Sequence, residues 1–369
     1  MTHDFSAQQA KARDAVAHWF KHDARKKQIF RLFGYAGTGK TTLARHLAED
    51  VEGEVFYAAL TGKAAMVMQE NGCDGASTIH RLIYETRKMP NGGGEFRLDP
   101  CSPAANAALI ILDECSMVDK PLARDLMSFK TPILVLGDPA QLPPVKGTGY
   151  FINADPDVML TEVHRQARDS PILRLAAEVR AGRRPAIGNY GACRVIAMDD
   201  CDMDDILAAD QVLAYRNSTC HHFNHAIRHE LGYTTELPGP GDRLLCLKNH
   251  YDIDIFNGET VRVTSPPRAS KYFETVSMKV ARDTCGTAED VRIRVHPRFF
   301  TDEQESLTEK QKRESHQFGY GYVMTVHKAQ GSQWDNVLIL DESRFVRDDA
   351  SAWLYTAITR ARERLTLVI

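Results

Sequence analysis

The chain opens on a helical pattern. Ala12, Ala15, Val16, Trp19 and Phe20 fall on one face at helical spacing, which predicts a helix over residues 7–23. The period then changes. Ile29-Phe30-Arg31-Leu32-Phe33 is a short apolar run that stops at Gly34, the pattern of a buried strand feeding a glycine loop. A helix from Thr41 to about Glu49, a strand over residues 55–60 and a helix over residues 63–69 follow. Leu109-Ile110-Ile111-Leu112 and Ile133-Leu134-Val135-Leu136 are further buried strands, and Val158-Met159-Leu160 is a weaker one. Strands alternating with helices predict a parallel sheet covered by helices. The rhythm returns at Gln211-Val212-Leu213-Ala214, Val337-Leu338-Ile339-Leu340 and Leu365-Thr366-Leu367-Val368-Ile369. Two α/β domains are expected, over residues 1–155 and 156–369.

Two insertions break the rhythm. Asn91-Gly92-Gly93-Gly94 within residues 84–103 is a hairpin signal, so a short β-hairpin is predicted to project from the first domain. Phe96 is the one large aromatic near its glycine-rich tip. Residues 240–315 hold a small all-β module, carried by the alternation in Glu259-Thr260-Val261-Arg262-Val263 and Val291-Arg292-Ile293-Arg294-Val295. Residues 301–316 are charged and helix-prone and read as a solvated helix.

Composition narrows the class. The 369 residues are 43% hydrophobic and 26% charged, which excludes a disordered tail, a collagen and a coiled-coil rod. No apolar run approaches the ~20 residues of a membrane span, and Met1-Thr2-His3-Asp4-Phe5 lacks the signal-peptide pattern. A cytoplasmic protein with no membrane partner is expected. Lys and Arg number 46 against 49 Asp and Glu, a net charge of −3. Any nucleic-acid site must therefore be a local groove rather than a global positive field. The eight cysteines form no CxxC pair and read as free thiols.

The chemistry begins at Gly34-Tyr35-Ala36-Gly37-Thr38-Gly39-Lys40-Thr41, a complete phosphate-binding P-loop between a strand and a helix. The glycines let backbone N–H groups turn toward phosphates, and the helix N-terminus adds partial positive charge. Lys40 would reach the β- and γ-phosphates, and Thr41 would ligate Mg²⁺. The apolar run 109–112 ends in Asp113-Glu114. Asp113 would hold Mg²⁺ through water, and Glu114 would orient and deprotonate the attacking water.

Further motifs follow in order: Gly137-Asp138-Pro139-Ala140-Gln141, Leu160-Thr161-Glu162-Val163-His164-Arg165-Gln166, Thr325-Val326-His327-Lys328-Ala329-Gln330-Gly331-Ser332 and Tyr355-Thr356-Ala357-Ile358-Thr359-Arg360. With Thr61-Gly62-Lys63 and Thr78-Ile79-His80-Arg81, they resemble the motifs of superfamily 1B helicases, the RecD-like and Dda-like branch of P-loop NTPases. The resemblance implies two RecA-like domains, with the hairpin as a strand-separating pin and the β-module as a small SH3-like barrel. It implies ATP and Mg²⁺ as cofactors and 5′→3′ movement on single-stranded DNA with duplex unwinding. Lys40, Glu114, Gln141 as γ-phosphate sensor, and the arginine fingers Arg165 and Arg360 would be catalytic. Gln9 would read adenine, and Gly34, Ala36, Gly37, Thr38, Gly39 and Gly331 would complete the nucleotide site. Thr61, Lys63, His80, Phe96, Asn217, Thr325 and His327 would line the DNA. The implied partners are single-stranded DNA, single-strand–duplex junctions and single-strand-binding, replication, repair or recombination proteins, with the chain itself a monomer. A second reading is a DNA-stimulated regulatory ATPase subunit of a larger repair complex that does not unwind alone. The hairpin and the β-module discriminate, because such a subunit need not keep both.

Cys220-His221-His222 with His225 and His229 lies at helical spacing, and adjacent histidines point about 100° apart on a helix. A solvated helix face is the expected reading there rather than zinc. The acidic run Asp199–Asp205 reads as a loop and helix start away from the DNA.

Overall fold

The computed structural model describes residues 5–88, 94–144, 149–163, 169–270, 274–282, 290–301 and 303–369. Among these, one compact unit comprises the chain up to Arg87, Gly94–Pro185 and Asp349–Thr359, and a second comprises Ala186–Asp348 and Arg360–Ile369.

The first unit begins with α1 (Ala7–His22), whose Ser6 and Gln9 form a reciprocal capping box. Then come β1 (Ile29–Gly34), α2 (Lys40–Ala48), β2 (Val55–Ala59), α3 (Gly62–Glu70), β3 (Ser77–Thr78), α4 (Ile79–Ile83), β4 (Tyr84–Lys88) and β5 (Gly94–Leu98). After them run β6 (Leu109–Asp113), α5 (Lys120–Ser128), β7 (Ile133–Gly137), β8 (Val158–Leu160) and α6 (Pro171–Arg180). The sheet order is β3-β2-β6-β7-β1-β8, and every neighbouring pair is parallel. Both β6 and β7 are buried from end to end, which is why their sequences are continuous apolar runs. Their side chains alternate between two cores. Leu109, Ile111 and Leu134 pack with Val16 and Trp19 of α1, while Ile110, Leu112 and Val135 pack with Ile79 and Leu122.

The pairing of β8 with β1 moves the boundary. Leu32 stands opposite Val158 and Gly34 opposite Leu160, so the first unit continues to Pro185 rather than ending at residue 155. The weak apolar run at 158–160 completes the first sheet by satisfying the outer edge of β1. The predicted hairpin is present as the two-stranded sheet β4–β5, and its loop, residues 89–93, lies outside the described residues. Phe96, expected near the glycine-rich tip, stands in the second strand of the hairpin. It is the third residue of β5, and its ring lies 5.7 Å from His80 and 6.0 Å from Tyr84. β5 begins at Gly94, so Phe96 lies inside a strand.

The second unit contains β9 (Gly188–Tyr190), β10 (Cys193–Ile196), α7 (Met203–Leu207), β11 (Gln211–Ala214) and α8 (Asn217–Glu230). An antiparallel segment follows, β12 (Arg243–Cys246), β13 (Thr260–Val263), β14 (Arg268–Ala269), β15 (Val276–Arg282), β16 (Val291–Val295), α9 (Glu309–Arg313) and β17 (Phe318–Tyr320). The parallel pattern then resumes with β18 (Val323–Thr325), α10 (Val326–Ala329) and β19 (Trp334–Leu340). Next in sequence is α11 (Ala350–Ile358), which belongs to the first unit, and last is β20 (Ala361–Val368). The main sheet runs β18-β11-β19-β20-β10-β9, parallel except for β9. The antiparallel sheet runs β14-β15-β13-β12-β17, with β16 also paired to β15, and has its own core of Leu244, Val261, Met278, Ile293 and Phe318. The solvated helix expected over residues 301–316 is observed only in part, as α9, which buries none of its residues. Among the described residues of that span, α9 is a short helix, and Leu307 is buried in the antiparallel core. That side chain anchors the segment, and Gln311 Nε2 donates to Glu274 Oε2 at 2.9 Å.

Inside the second unit Arg228 of α8 is 3% exposed and grips Asp242 through Nε at 3.0 and 3.2 Å and Nη2 at 3.1 Å. Its other donors reach the Thr235 and Leu237 carbonyls, and Asp242 also accepts from the Tyr322 hydroxyl and the Gly239 N–H. Every charge is matched, so Arg228 is structural. Arg228→Ala should destabilise the protein by about 3–5 kcal/mol, because it strands a buried carboxylate. Urea unfolding checks this. A loss below about 1 kcal/mol would mean that Asp242 finds water.

Candidate nucleotide site and nucleic-acid face

β1 delivers Gly34 to the start of the P-loop. A Cβ there would stand 2.7 Å from Thr38 Oγ1 and 2.8 Å from Leu160 Cβ, so only glycine fits. Gly37 and Gly39 take φ of 77° and 76°, the left-handed region that glycine enters without steric cost. Lys40, the first residue of α2, folds its Nζ back to donate to the Gly34 carbonyl at 2.6 Å and the Tyr35 carbonyl at 3.1 Å. Gln9 is 6% exposed. Its Oε1 accepts the Ser6 N–H at 3.0 Å and its Nε2 donates to the Thr38 carbonyl at 3.1 Å. In this geometry Gln9 braces the P-loop. Neighbouring Gln8 instead bonds Thr161 and Glu162.

Thr41 Oγ1 donates to Asp113 Oδ2 at 2.6 Å. The pair offers only hard oxygen donors, the set that suits Mg²⁺. Glu114 has φ of 51° and is one of three described non-glycine residues with positive φ. Such backbone is costly and persists where surrounding structure enforces it. Here the Glu114 N–H donates to Asp113 Oδ1 at 2.8 Å, which turns the chain sharply at the end of β6. Gln141 stands in the loop after β7. Its Oε1 is buried without a hydrogen-bond partner among the described residues, an acceptor left open beside these groups.

Sequence reasoning gave no role to Tyr355 or Asp138. The Tyr355 hydroxyl accepts the Ala36 N–H at 2.8 Å and donates to Asp138 Oδ2 at 2.7 Å. A signal was available. In α11, Trp353, Leu354, Tyr355, Thr356, Ala357 and Ile358 are all buried, so this helix has no wet face in its second half. A phenol in such a stretch needs an internal partner.

Arg165 lies outside the described residues. Arg360, in the second unit, is 3% exposed and its Nη1 donates to the Ser332 carbonyl at 3.3 Å. Gly331 precedes that serine with φ of 75°, and Ser332 Oγ is buried without a hydrogen-bond partner among the described residues.

Thr61, Lys63, His80, Thr325 and His327, assigned to DNA, lie on three copies of one local design, with Thr78 as its third threonine. Thr61, Thr78 and Thr325 each stand at a strand-to-helix step, and their hydroxyls accept the N–H groups of Ala64, Arg81 and Lys328 at 3.2, 3.2 and 3.4 Å. Each O–H is left to donate. Two positions after each threonine comes Lys63, His80 or His327, in the first turn of the capped helix. Burial lowers the His80 pKa, keeping the ring neutral, and its Nδ1 has no hydrogen-bond partner among the described residues. Asn217 is exposed at the start of α8 and lines a hollow with Thr325 and Lys328. The His327 ring lies 6.5 Å from Tyr215.

Among the described residues, His250, Asp252 and His316 bring metal-ligand types within 4.8 Å of one another. Their hydrogen bonds oppose a metal. The Gln317 N–H donates to His250 Nε2 at 2.9 Å and the Arg294 N–H to His316 Nδ1 at 3.1 Å. A neutral imidazole has one ring lone pair, so each ring is left with an N–H rather than a ligand atom. Burial, first of all, brings the His250 pKa down to about 4, so that ring stays neutral.

No helix among the described residues is long and apolar enough to cross a membrane. A family model described as an AAA domain matches residues 5–199, and one described as a UvrD-like helicase C-terminal domain matches residues 320–368. The chain is 31% identical over 362 residues to the ATP-dependent RecD2 DNA helicase of Deinococcus radiodurans, covering 90% of this chain and 46% of that protein. It is 31% identical over 173 residues to the ATP-dependent DNA helicase Dda of phage T4, covering 43% of this chain and 39% of that one. The chain thus spans less than half the length of these relatives. The fold is similar to that of the Bacteroides Pif1 helicase solved with ADP-AlF3 and single-stranded DNA, with a TM-score of 0.57, 17% identity, and coverage of 99% of this chain and 92% of that one. With the AAA-domain model covering more than half its length and the P-loop, Asp113-Glu114 and Gln141 at or just beyond the carboxyl ends of the adjacent strands β1, β6 and β7, the chain belongs to the AAA-domain P-loop family, in its superfamily 1B, RecD-like and Dda-like helicase branch.

Proposed function

We propose that the protein is an ATP-dependent DNA helicase that moves 5′→3′ along single-stranded DNA and unwinds duplex at single-strand–duplex junctions. The observation that carries this reading is the joint placement of Lys40, Thr41, Asp113 and Glu114, with the open acceptor of Gln141 in the neighbouring loop. Lys40 leaves the loop carbonyls for the β- and γ-phosphates. Thr41, and Asp113 through water, hold Mg²⁺, which supplies charge neutralisation on the phosphate oxygens. Glu114 takes the proton of the attacking water, the oxygen attacks the γ-phosphorus, and ADP departs. Gln141 senses the γ-phosphate, Gln9 reads the adenine, and Gly331 completes the site. Arg165 and Arg360 neutralise charge on the transferring phosphoryl group. Thr61, Lys63, His80, Asn217, Thr325 and His327 hold phosphates and sugars without reading bases. The β4–β5 hairpin, with Phe96 in its second strand, serves as the strand-separating pin, and the antiparallel sheet is the small SH3-like module. The chain works as a monomer in the cytoplasm, alongside single-strand-binding or replication and repair proteins.

The test uses the purified chain with ATP and Mg²⁺ on 5′-tailed and 3′-tailed duplexes. Strand displacement confined to the 5′-tailed substrate is expected. Displacement of the 3′-tailed duplex alone would reverse the polarity. ATP turnover stimulated by DNA with no displacement of either would favour a regulatory ATPase subunit.

A further inference from the structure

The second half of α11 is buried and apolar, yet two consecutive polar groups within it face the nucleotide loops. Tyr355 is 1% exposed. Its hydroxyl accepts the Ala36 N–H of the P-loop at 2.8 Å and donates to Asp138 Oδ2 at 2.7 Å. Asp138, itself 2% exposed, turns its other oxygen to accept the Ala140 N–H at 3.0 Å. On the far side of Gln141, Thr356 Oγ1 accepts the Leu142 N–H at 2.9 Å. The backbone on both sides of Gln141 is therefore tied to α11, and the same helix is tied to the P-loop. Burial, with the nearby Asp138 charge, pushes the Tyr355 phenol pKa up, so the hydroxyl keeps its proton to donate. A hydrogen bond to a buried carboxylate is charge-assisted and costly to lose.

We propose that Tyr355 is a positioning residue for nucleotide hydrolysis, its hydroxyl coupling the Ala36 amide of the P-loop to the Asp138 loop that sets the place of Gln141. This rests on the ATPase reading above. A shift of the P-loop reaches the sensor glutamine through Ala36, Tyr355, Asp138 and Ala140, without passing through the nucleotide. The helix carrying this link leads directly, after Thr359, into Arg360, so the link and the finger share one stretch of chain.

The experiment compares Tyr355→Phe, Asp138→Asn and the double variant for DNA-stimulated ATP hydrolysis, with Lys40→Ala alongside. Tyr355→Phe should lower kcat about tenfold and leave the KM for ATP within about twofold. Asp138→Asn should behave similarly, and the double variant should be no slower than the slower single one. A wild-type kcat in Tyr355→Phe, a change in KM as large as that in kcat, or losses that multiply in the double variant would each overturn the proposal. Melting temperatures are measured in parallel. Should Tyr355→Phe unfold at the assay temperature, hydrogen exchange of residues 34–38 in Asp138→Asn decides the matter. Faster exchange there supports the link and unchanged exchange overturns it. If Lys40→Ala retains turnover, the ATPase reading itself fails. If Lys40→Ala is inactive and Tyr355→Phe is normal, only the role of Tyr355 fails.

Discussion

Lys40→Ala should abolish ATP turnover, by 10³-fold or more, while nucleotide-free binding to single-stranded DNA survives. The ammonium group stands on the first residue of α2, directly after the left-handed Gly39. Its Nζ donates to the Gly34 and Tyr35 carbonyls, at 2.6 and 3.1 Å. Those carbonyls are neutral acceptors, whereas phosphate oxygens carry charge, so the same donors bind the latter far more strongly. Charge that develops on the β–γ bridge during cleavage then loses its nearest fixed cation, and preorganised electrostatics of this kind account for several kcal/mol of a barrier. The helix itself should persist, since alanine is the best helix former. A phosphate-release assay with saturating DNA measures the effect, and filter binding without nucleotide measures what survives. Turnover within about tenfold of wild type would remove Lys40 from the chemistry.

Arg360→Ala should cost about 10³-fold or more in kcat with a much smaller loss of ATP affinity. The residue is buried at 3% exposure, its backbone carbonyl accepts the Trp334 N–H at 2.9 Å, and its guanidinium donates to the Ser332 carbonyl at 3.3 Å. A planar fork held in this way is oriented before it meets a phosphoryl group, so little entropy is lost when it engages. Arg360→Lys should rescue poorly, because an ammonium group cannot reproduce the bidentate geometry. Steady-state kinetics separates the outcomes. Equal losses in ATP binding and in turnover would assign Arg360 to ground-state binding instead.

The legible part of the site is the part that is local in sequence. A P-loop is a contiguous stretch whose glycines, lysine and threonine must follow one another because one strand–loop–helix turn makes the whole cradle. An apolar run that ends in Asp-Glu is by itself a common strand edge, so Asp113 and Glu114 were legible only together with the P-loop, whose Thr41 donates to Asp113. That Phe96 falls inside β5 was not legible, because a glycine run does not state where a turn ends and a strand begins. The boundary at residue 155 was misread because three weakly apolar residues reveal neither which strand edge they will cover nor in which unit.

The chain's own order of apolar and polar residues determined two mainly parallel sheets, the antiparallel insertion, the hairpin and the phosphate loop, since each depends on periodicity or on neighbours within a few residues. Tertiary structure alone decided where the long-range polar groups find partners. The Tyr355 hydroxyl meets the Ala36 N–H across 319 positions of the chain, and Asp138 across 217. One donor of the Gln9 amide finds the Thr38 carbonyl, and Glu114 is forced into left-handed backbone. Burial makes an unpaired polar group costly, so each such group is settled by whichever partner the packed sheets bring within 3 Å, and no local pattern encodes that distance.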